Sequence, residues 1–150
     1  MYFIRIRGIE GLAGQRVQAI RVKDAAAILG VSDDTVRRWI DSGALASFKD
    51  SSGRKVIAGD VLAEFAREHA SAPPDPLGVG SSARNRMVGL VTKVTADKVM
   101  SEVQMQCGPF TVTSLMSTES ARQLGLEPGV LAVAVVKATN VIIETPGGAS

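Results

Sequence analysis

The stretch "SAPPDPLGVGSS" (Ser71 to Ser82) divides the sequence into two parts. It combines three prolines with glycines and serines, a composition typical of a linker. Before it, apolar residues mostly recur at helical spacing, whereas after it short runs such as "EVQMQC" and "FTVTSL" alternate polar and apolar residues. The sequence therefore predicts two domains of different class, joined by a linker over residues 71–81.

Composition limits the class of protein before any motif is considered. The 150 residues are 45% apolar and 21% charged, which is typical of a globular chain. Net charge is only +2, so any contact with nucleic acid must come from locally placed cations. Cys107 is the single cysteine and cannot form an intrachain disulfide, which suits a reducing compartment. With no signal-peptide pattern and no apolar run near the ~18 residues of a membrane span, we expect a cytoplasmic protein without membrane contact.

The N-terminal part contains the stretch "VKDAAAILGVSDDTVRRWIDSGAL" (Val22 to Leu45). Gly30 is placed to end a first helix in the left-handed conformation, and Ser32 is placed to cap a second helix. On the second helix, Val36, Trp39 and Ile40 share an apolar face, which leaves other side chains free to project elsewhere. The following "LASFKDSSGRKVIA" is typical of a short hairpin with a basic tip. The pattern predicts a helix-turn-helix with a wing.

Residues 22–69 resemble the winged helix-turn-helix of the MerR and phage-excisionase families. The resemblance implies that the second helix enters the major groove of double-stranded DNA while the wing reaches the backbone or the minor groove. The chain departs from the family pattern at Ala46, where proline is frequent, and at Val56, where a third basic wing residue is usual. By position, the implied DNA-binding residues are Thr35, Arg37 and Arg38 on the helix and Lys49, Arg54 and Lys55 on the wing.

We assign no function to two remaining features of the N-terminal part. Residues 1–20 are interpreted either as a short strand with a flexible segment or as an extension outside the folded unit. His69 is the only histidine, which excludes a histidine-based catalytic triad and a multi-histidine metal site. We therefore expect no catalytic residues and no bound metal cation.

The C-terminal part suggests five strands in about sixty-five residues, a number that fits a small barrel of the OB type. One short helix, "STESARQLG", interrupts them. The fourth strand, "VLAVAVV", is apolar on both faces, although a small barrel has only one interior, so a partner subunit is the natural cover. The predicted strands are Met87–Val94, Val99–Cys107, Phe110–Leu115, Val130–Val136 and Asn140–Glu144.

Three pieces rich in hydrogen-bond donors lie at the ends of these elements. They are "SSARN" before the first strand, "STES" at the start of the helix and "KATN" after the fourth strand. Hydroxyls and free N–H groups at a helix start favour an anion, and Arg84 and Lys137 add full positive charges. Neither "SSARN" nor "KATN" contains a carboxylate. Phosphate at neutral pH carries a proton that needs an acceptor, so these motifs favour a fully deprotonated tetrahedral dianion.

The same region resembles the Mop domain, the molybdate-binding TOBE domain, through "SARNRMVGLV", "SLMSTESARQLGLEPGV" and "VKATNVII". The resemblance implies that molybdate or tungstate binds at interfaces between subunits, partly through backbone N–H groups, and that the C-terminal domain forms a homo-oligomer. No other cofactor is implied. By position, the implied oxyanion-binding residues are Ser82, Arg84, Ser117, Ser120, Lys137, Ala138 and Thr139.

Together these features predict an α+β chain that is not an enzyme. Its expected parts are an N-terminal extension (1–20), a winged helix-turn-helix domain (21–70), a linker (71–81), a five-stranded OB-like β-barrel domain of the Mop/TOBE type (82–146) and a C-terminal tail (147–150). The favoured function is a molybdate- or tungstate-responsive transcription regulator. Two alternatives stay open: an intracellular molybdate storage or buffering protein, and an excisionase-like architectural DNA-binding protein whose barrel only oligomerises.

Overall fold

The computed structural model describes residues 7–10 and 16–146. The chain divides into two compact units, Met1–Ser71 and Ala72–Ser150, each with its own hydrophobic core. The predicted tail and parts of the predicted N-terminal extension lie outside the described residues. Within the described ranges, no helix has the length and apolar character needed to cross a membrane.

The described N-terminal unit has three helices: α1 (Val22–Leu29), α2 (Asp33–Asp41) and α3 (Gly59–His69). Gly30 follows α1 with φ 68°, a left-handed conformation that glycine adopts without steric cost. The Ser32 hydroxyl accepts a hydrogen bond of 3.2 Å from the backbone N–H of Thr35, so it caps α2. The predicted helix-turn-helix is therefore confirmed, and its turn is formed by the residues that were expected to form it.

A four-stranded antiparallel sheet completes the N-terminal unit, in the order β1-β2-β4-β3. Strands β3 and β4 form the predicted wing hairpin. Strand β2 pairs Ala19 with Ala58 and Ile20 with Ile57 of β4, so residues 16–20 belong to this sheet and are not an extension outside the fold. The strands are β1 (Arg7–Glu10), β2 (Arg16–Arg21), β3 (Phe48–Lys49) and β4 (Lys55–Ala58).

The N-terminal core lies between the helices and the inner face of the sheet. Val36 of α2 and Ile57 of β4 are fully buried, and the ring of Trp39 lies 5.0 Å from that of Phe65, centroid to centroid. Val56 is also buried, which gives a physical reason for the departure from the basic wing pattern, because a cation at this position would be removed from water. The core residues are Val22, Ala25, Ala26, Val36, Leu45, Ile57, Leu62 and Phe65.

The C-terminal unit is a curled antiparallel sheet in the order β7-β6-β5-β8, and the α+β class of the whole chain is confirmed. A short helix, α4, follows β7, and a 3-10 helix follows β8. The elements are β5 (Asn85–Ala96), β6 (Met100–Cys107), β7 (Phe110–Ser117), α4 (Thr118–Gln123), β8 (Leu131–Val136) and the 3-10 helix Ala138–Asn140.

The fifth predicted strand, Asn140–Glu144, is wrong for the single chain. Asn140 ends the 3-10 helix, and residues 141–145 have no regular structure. Ile142 and Ile143 are 85% and 83% exposed. The β-branched composition is typical of a strand, but a strand also needs a neighbouring strand to receive its hydrogen bonds, and the described chain pairs none with this segment.

The C-terminal core is built from alternating positions of β6 with Val91 of β5. Val103, Met105 and Cys107 are all buried, so the interpretation of Cys107 as a core residue agrees with the structure. Gly89 of β5 lies against β6 so closely that a Cβ there would meet the Gln106 carbonyl oxygen at 2.3 Å. Only glycine fits at this close approach of two backbones.

Candidate functional site

Helix α2 presents two exposed arginines that differ in their contacts. The Arg38 guanidinium donates a long hydrogen bond of 3.4 Å to the Thr35 hydroxyl, which also lies 2.9 Å from the Ser32 hydroxyl in the capping pair. Thr35 is half-buried. Arg37 is exposed and makes no hydrogen bond or ion pair with any described residue. The helix therefore offers Arg37 as its least restrained cation and couples Arg38 and Thr35 to the cap.

The tip of the wing is shaped by Asp50. One oxygen of its carboxylate accepts the backbone N–H groups of Ser52 and Arg54 at 2.8 and 3.0 Å, and the other lies 3.3 Å from the Arg54 guanidinium. The pKa of Asp50 is lowered, chiefly by the hydrogen bond from the Arg54 backbone. Gly53 completes the turn with φ 74°. The tip is thus a defined turn that holds one wing cation beside a carboxylate.

A second ion pair joins the wing to α2. The ammonium of Lys55 lies 3.2 Å from a carboxylate oxygen of Asp41, the last residue of α2. Lys49 is exposed and has no such partner among the described residues. Two of the three predicted wing cations are therefore paired within the chain, and because exposed ion pairs contribute little to stability, a phosphate can replace the carboxylates at small cost.

The two cations of the predicted oxyanion site lie at the same end of the β5–β8 pair. The antiparallel register places Asn85 opposite Val136, and Arg84 immediately precedes β5 while Lys137 immediately follows β8. The Asn85 side-chain amide donates to the Val136 carbonyl at 3.2 Å and fixes this end. Both cations are exposed and form no ion pair with a described residue. Ser82 precedes Arg84, and Ala138 and Thr139 open the 3-10 helix after Lys137.

The two remaining predicted residues, Ser117 and Ser120, lie at the opposite end of the sheet. Ser117 ends β7 opposite Met100, which begins β6, whereas β5 reaches this end only at Ala96. The twelve residues of β5 span roughly 35 Å along the strand at about 3.3 Å per residue. The single chain therefore separates the seven predicted residues into two groups, five at the Arg84 end and two at the Ser117 end.

The hydroxyls of the second group satisfy each other. The Ser117 hydroxyl accepts the backbone N–H of Ser120 at 3.1 Å and donates to the Ser120 hydroxyl at 2.8 Å, so Ser117 caps α4. This is the arrangement of an ordinary helix cap. A ligand at this end would use the remaining hydroxyl lone pairs of the two serines and the N–H groups of the first turn of α4.

Sequence reasoning missed one contact near the first group. The Asp75 carboxylate of the linker lies 2.5 Å from the Arg86 guanidinium of β5, and it also accepts the backbone N–H of Leu77 at 2.9 Å. The pKa of Asp75 is lowered and that of Arg86 is raised, each chiefly by this shared hydrogen bond. The prolines on both sides of Asp75, which fix its backbone, were the only signal in the sequence.

A helix-turn-helix unit joined to a small curled β-sheet defines a two-domain binding protein. Across the described ranges, no group of three or more potential ligands could hold a metal ion. A helix-turn-helix domain model matches residues 20–70, and a TOBE domain model matches residues 81–143. Neither domain is enzymatic, so the expectation that the chain is not an enzyme is confirmed.

Two relatives are similar to the C-terminal unit. Molybdenum-pterin-binding protein 3 of Clostridium pasteurianum is 40% identical over 63 residues, which are 41% of this chain and 93% of that protein. Molybdenum-pterin-binding protein MopA of Rhodobacter capsulatus is 39% identical over 66 residues, 43% of this chain. The chain spans only 25% of the length of MopA. Because the chain covers 93% of molybdenum-pterin-binding protein 3 and matches the TOBE domain model, it belongs to the TOBE domain family. A helix-turn-helix domain precedes its TOBE domain.

Two solved structures also match. MopII from Clostridium pasteurianum is 36% identical and covers 44% of this chain and 100% of that chain, with a TM-score of 0.41. The cytoplasmic molybdate-binding protein ModG, in a form with molybdate bound, is 30% identical and covers 63% of this chain and 78% of that chain, with a TM-score of 0.45.

Proposed function

We propose that the chain is a transcription regulator that binds DNA through α2 and the wing and responds to molybdate or tungstate bound by its TOBE domain. The observation that supports the oxyanion site is the β5–β8 register, because the Asn85–Val136 pair at its end leaves Arg84 and Lys137 at the same end of the two strands, with no ion-pair partner among the described residues. The names of the similar proteins, molybdenum-pterin-binding and molybdate-binding, support the choice of ion.

The chemistry of the Arg84 end favours a tetrahedral dianion. The hydroxyls of Ser82 and Thr139 and the first N–H groups of the 3-10 helix add donors beside the two cations. Molybdate and tungstate are fully deprotonated at neutral pH and only accept hydrogen bonds, whereas phosphate carries a proton that needs an acceptor. Sulfate is also a dianion, but its shorter bonds reach fewer donors at once. We therefore expect selectivity for the two larger ions.

A site that uses both groups of residues needs more than one copy of the chain. Ser117 and Ser120 lie at the far end of the sheet from Arg84 and Lys137, so one chain cannot bring them to a single ion. We propose that a second copy supplies the missing group, which makes the oxyanion part of the interface between subunits.

The exposed apolar surface of the C-terminal unit supports the same assembly. Leu115 and Phe110 of β7 are largely exposed, as are Ile142 and Ile143, and an apolar groove of about 430 Å³ runs beside β8. Large exposed apolar side chains together with an apolar groove on a small domain favour an interaction site. We propose that its occupant is a second copy of the C-terminal unit, because the same surface on the partner has equal need of a cover.

We expect the full chain to be a homo-oligomer at micromolar concentration, and Ile142→Asp with Ile143→Asp to make it smaller. Neither isoleucine contributes to the core of its own chain, so the double variant leaves each subunit folded while it places two charges in the interface. Light scattering after gel filtration measures the mass, with Val79→Asp on the exposed linker as the control. A monomeric wild type, or a double variant of unchanged mass, contradicts the interface.

The regulatory role is tested by measuring both ligands on one preparation. Titration calorimetry with molybdate, tungstate, sulfate and phosphate ranks the ions, and operator selection on random DNA followed by gel shifts with and without molybdate measures the coupling. We expect the two larger ions to bind most tightly and molybdate to change DNA affinity. Oxyanion binding without DNA binding supports the storage alternative, and DNA binding without oxyanion binding supports the architectural alternative.

A further inference from the structure

The linker is fastened to the C-terminal unit by a charged contact. Asp75 of the linker pairs with Arg86 of β5, and the same carboxylate holds the backbone N–H of Leu77 in a turn. Leu77, which is 50% exposed, is one of the residues that line the apolar groove beside β8. A segment whose composition is typical of a flexible linker is thus fastened by a polar contact next to an apolar groove.

This contact is adjacent to the proposed oxyanion site. Arg86 pairs with Val135 across β5 and β8, one register position from the Asn85–Val136 pair and two from Arg84 and Lys137. Residues two apart on an extended chain are about 7 Å apart, and Arg84 comes two residues before Arg86, just ahead of the start of β5. The Asp75 carboxylate therefore places a negative charge near the end of the sheet where an oxyanion would bind.

One hydrogen-bond donor of the Asp75–Arg86 contact has no partner in the part of the chain that the structure describes. The Nη2 atom of Arg86 is buried and has no hydrogen-bond partner among the described residues. A buried donor without an acceptor destabilises the arrangement that buries it, so release of the linker lets Nη2 meet water or an oxyanion oxygen. The Asp75–Arg86 contact therefore carries a cost that its opening removes.

We propose that Asp75 is a tethered competitor of the oxyanion: its carboxylate fastens the linker to β5 through Arg86, and a dianion bound at Arg84 and Lys137 displaces it and frees the linker. The inference rests on the proposed oxyanion site and adds how binding there is passed to the segment that leads to the helix-turn-helix unit. The two equilibria are thermodynamically linked. The factor by which a bound oxyanion weakens the Asp75–Arg86 contact is also the factor by which the contact lowers oxyanion affinity.

Two substitutions separate competition from a merely structural role. Asp75→Asn keeps an acceptor for the Leu77 N–H but removes the charge, so we expect molybdate affinity to rise by about two- to tenfold, the size of one repulsive charge at this range in a screened site. Arg86→Gln opens the same contact but removes a nearby cation, so molybdate affinity should fall. Glu127→Gln has the same charge change as Asp75→Asn, and Glu127 forms no ion pair with a described residue, so this control should leave affinity unchanged.

The state of the linker is measured independently by thermolysin cleavage before Leu77 or Val79 in the full chain. Without ligand, Asp75→Asn and Arg86→Gln should both be cleaved several-fold faster than wild type and Glu127→Gln. Molybdate should accelerate cleavage of wild type and have little effect on Asp75→Asn. Equal cleavage of all four proteins without ligand shows that the contact does not hold the linker and overturns the proposal.

The two proposals fail in distinguishable ways. If wild type binds molybdate but Asp75→Asn binds it equally or more weakly, the oxyanion site stands and the competition is overturned. If wild type binds no oxyanion, the proposed function fails and the competition fails with it, whereas the cleavage rates without ligand still decide whether the Asp75–Arg86 contact holds the linker.

Discussion

Replacing Arg37 and Arg38 together by Ala is expected to abolish the preference for a selected operator over random DNA. Each bidentate contact between an arginine and a base edge contributes ~1–3 kcal/mol of discrimination. Two lost contacts therefore reduce the specificity ratio by roughly thirtyfold to more than ten-thousandfold. Arg37→Ala alone should account for the larger share, because Arg37 is free of contacts with the described residues while Arg38 also donates to Thr35.

Loss of the wing cations should affect DNA binding differently from loss of the α2 arginines. Lys49→Ala with Lys55→Ala removes cations that contact phosphates, so affinity falls for every sequence and the salt dependence flattens by roughly one unit of slope per lost contact. Gel-shift titrations over a range of salt measure both effects. Arg67→Ala is the matched control, since Arg67 lies on α3 and pairs with Glu64. Operator preference that survives the Arg37 and Arg38 double variant would assign readout to another element.

Local signals allowed the helix-turn-helix to be predicted from the sequence. The left-handed turn at Gly30 and the cap at Ser32 depend on residues within three positions of each other, so their chemistry is visible in a short window. The wing was visible for the same reason, because its turn is closed by Asp50 and the four residues after it.

Pairings between distant segments could not be predicted. Strand β2 is fixed by β4, almost forty residues later, and its sequence "RVQAIR" alternates polar and apolar residues only over its first four positions. The strand predicted over residues 140–144 was wrong for the opposite reason. Its composition is typical of a strand, but the described chain pairs no strand with it. The Asp75–Arg86 contact likewise depends on how the linker folds back on β5. In each case a non-local neighbour, which composition does not reveal, decided the outcome.

The oxyanion site was predicted as a set of residues but not as an arrangement. The three motifs indicated donors at element ends, and the structure places five of the seven residues at one end of the sheet. The division between the Arg84 end and the Ser117 end follows from strand directions, which the motifs do not carry. The roles of all seven residues stay predictions, and the division gives them a sharper test.

Arg84→Ala and Lys137→Ala are each expected to weaken molybdate binding by roughly tenfold to more than a hundredfold. A charge-assisted hydrogen bond contributes ~1.5–3 kcal/mol, and removal of either cation leaves the dianion with one fewer such partner. Both side chains are exposed and unpaired with described residues, so neither substitution disturbs the core. Lys93→Ala, at an exposed lysine of β5 that is outside the predicted site, is the matched loss of one positive charge and should bind as wild type does.

Ser120→Ala distinguishes a shared site from two separate ones. Its neutral hydroxyl contributes about 1 kcal/mol, so a site that joins both ends of the sheet should lose about fivefold in affinity with the number of ions per chain unchanged. If the Ser117 end binds its own ion, Ser120→Ala should weaken one class of site and leave the class that depends on Arg84 intact. Titration calorimetry gives affinity and stoichiometry together, with phosphate as the discriminating anion because its proton needs an acceptor. Wild-type affinity in both cation variants, or phosphate bound as tightly as molybdate, would reduce "SSARN" to a turn before a strand.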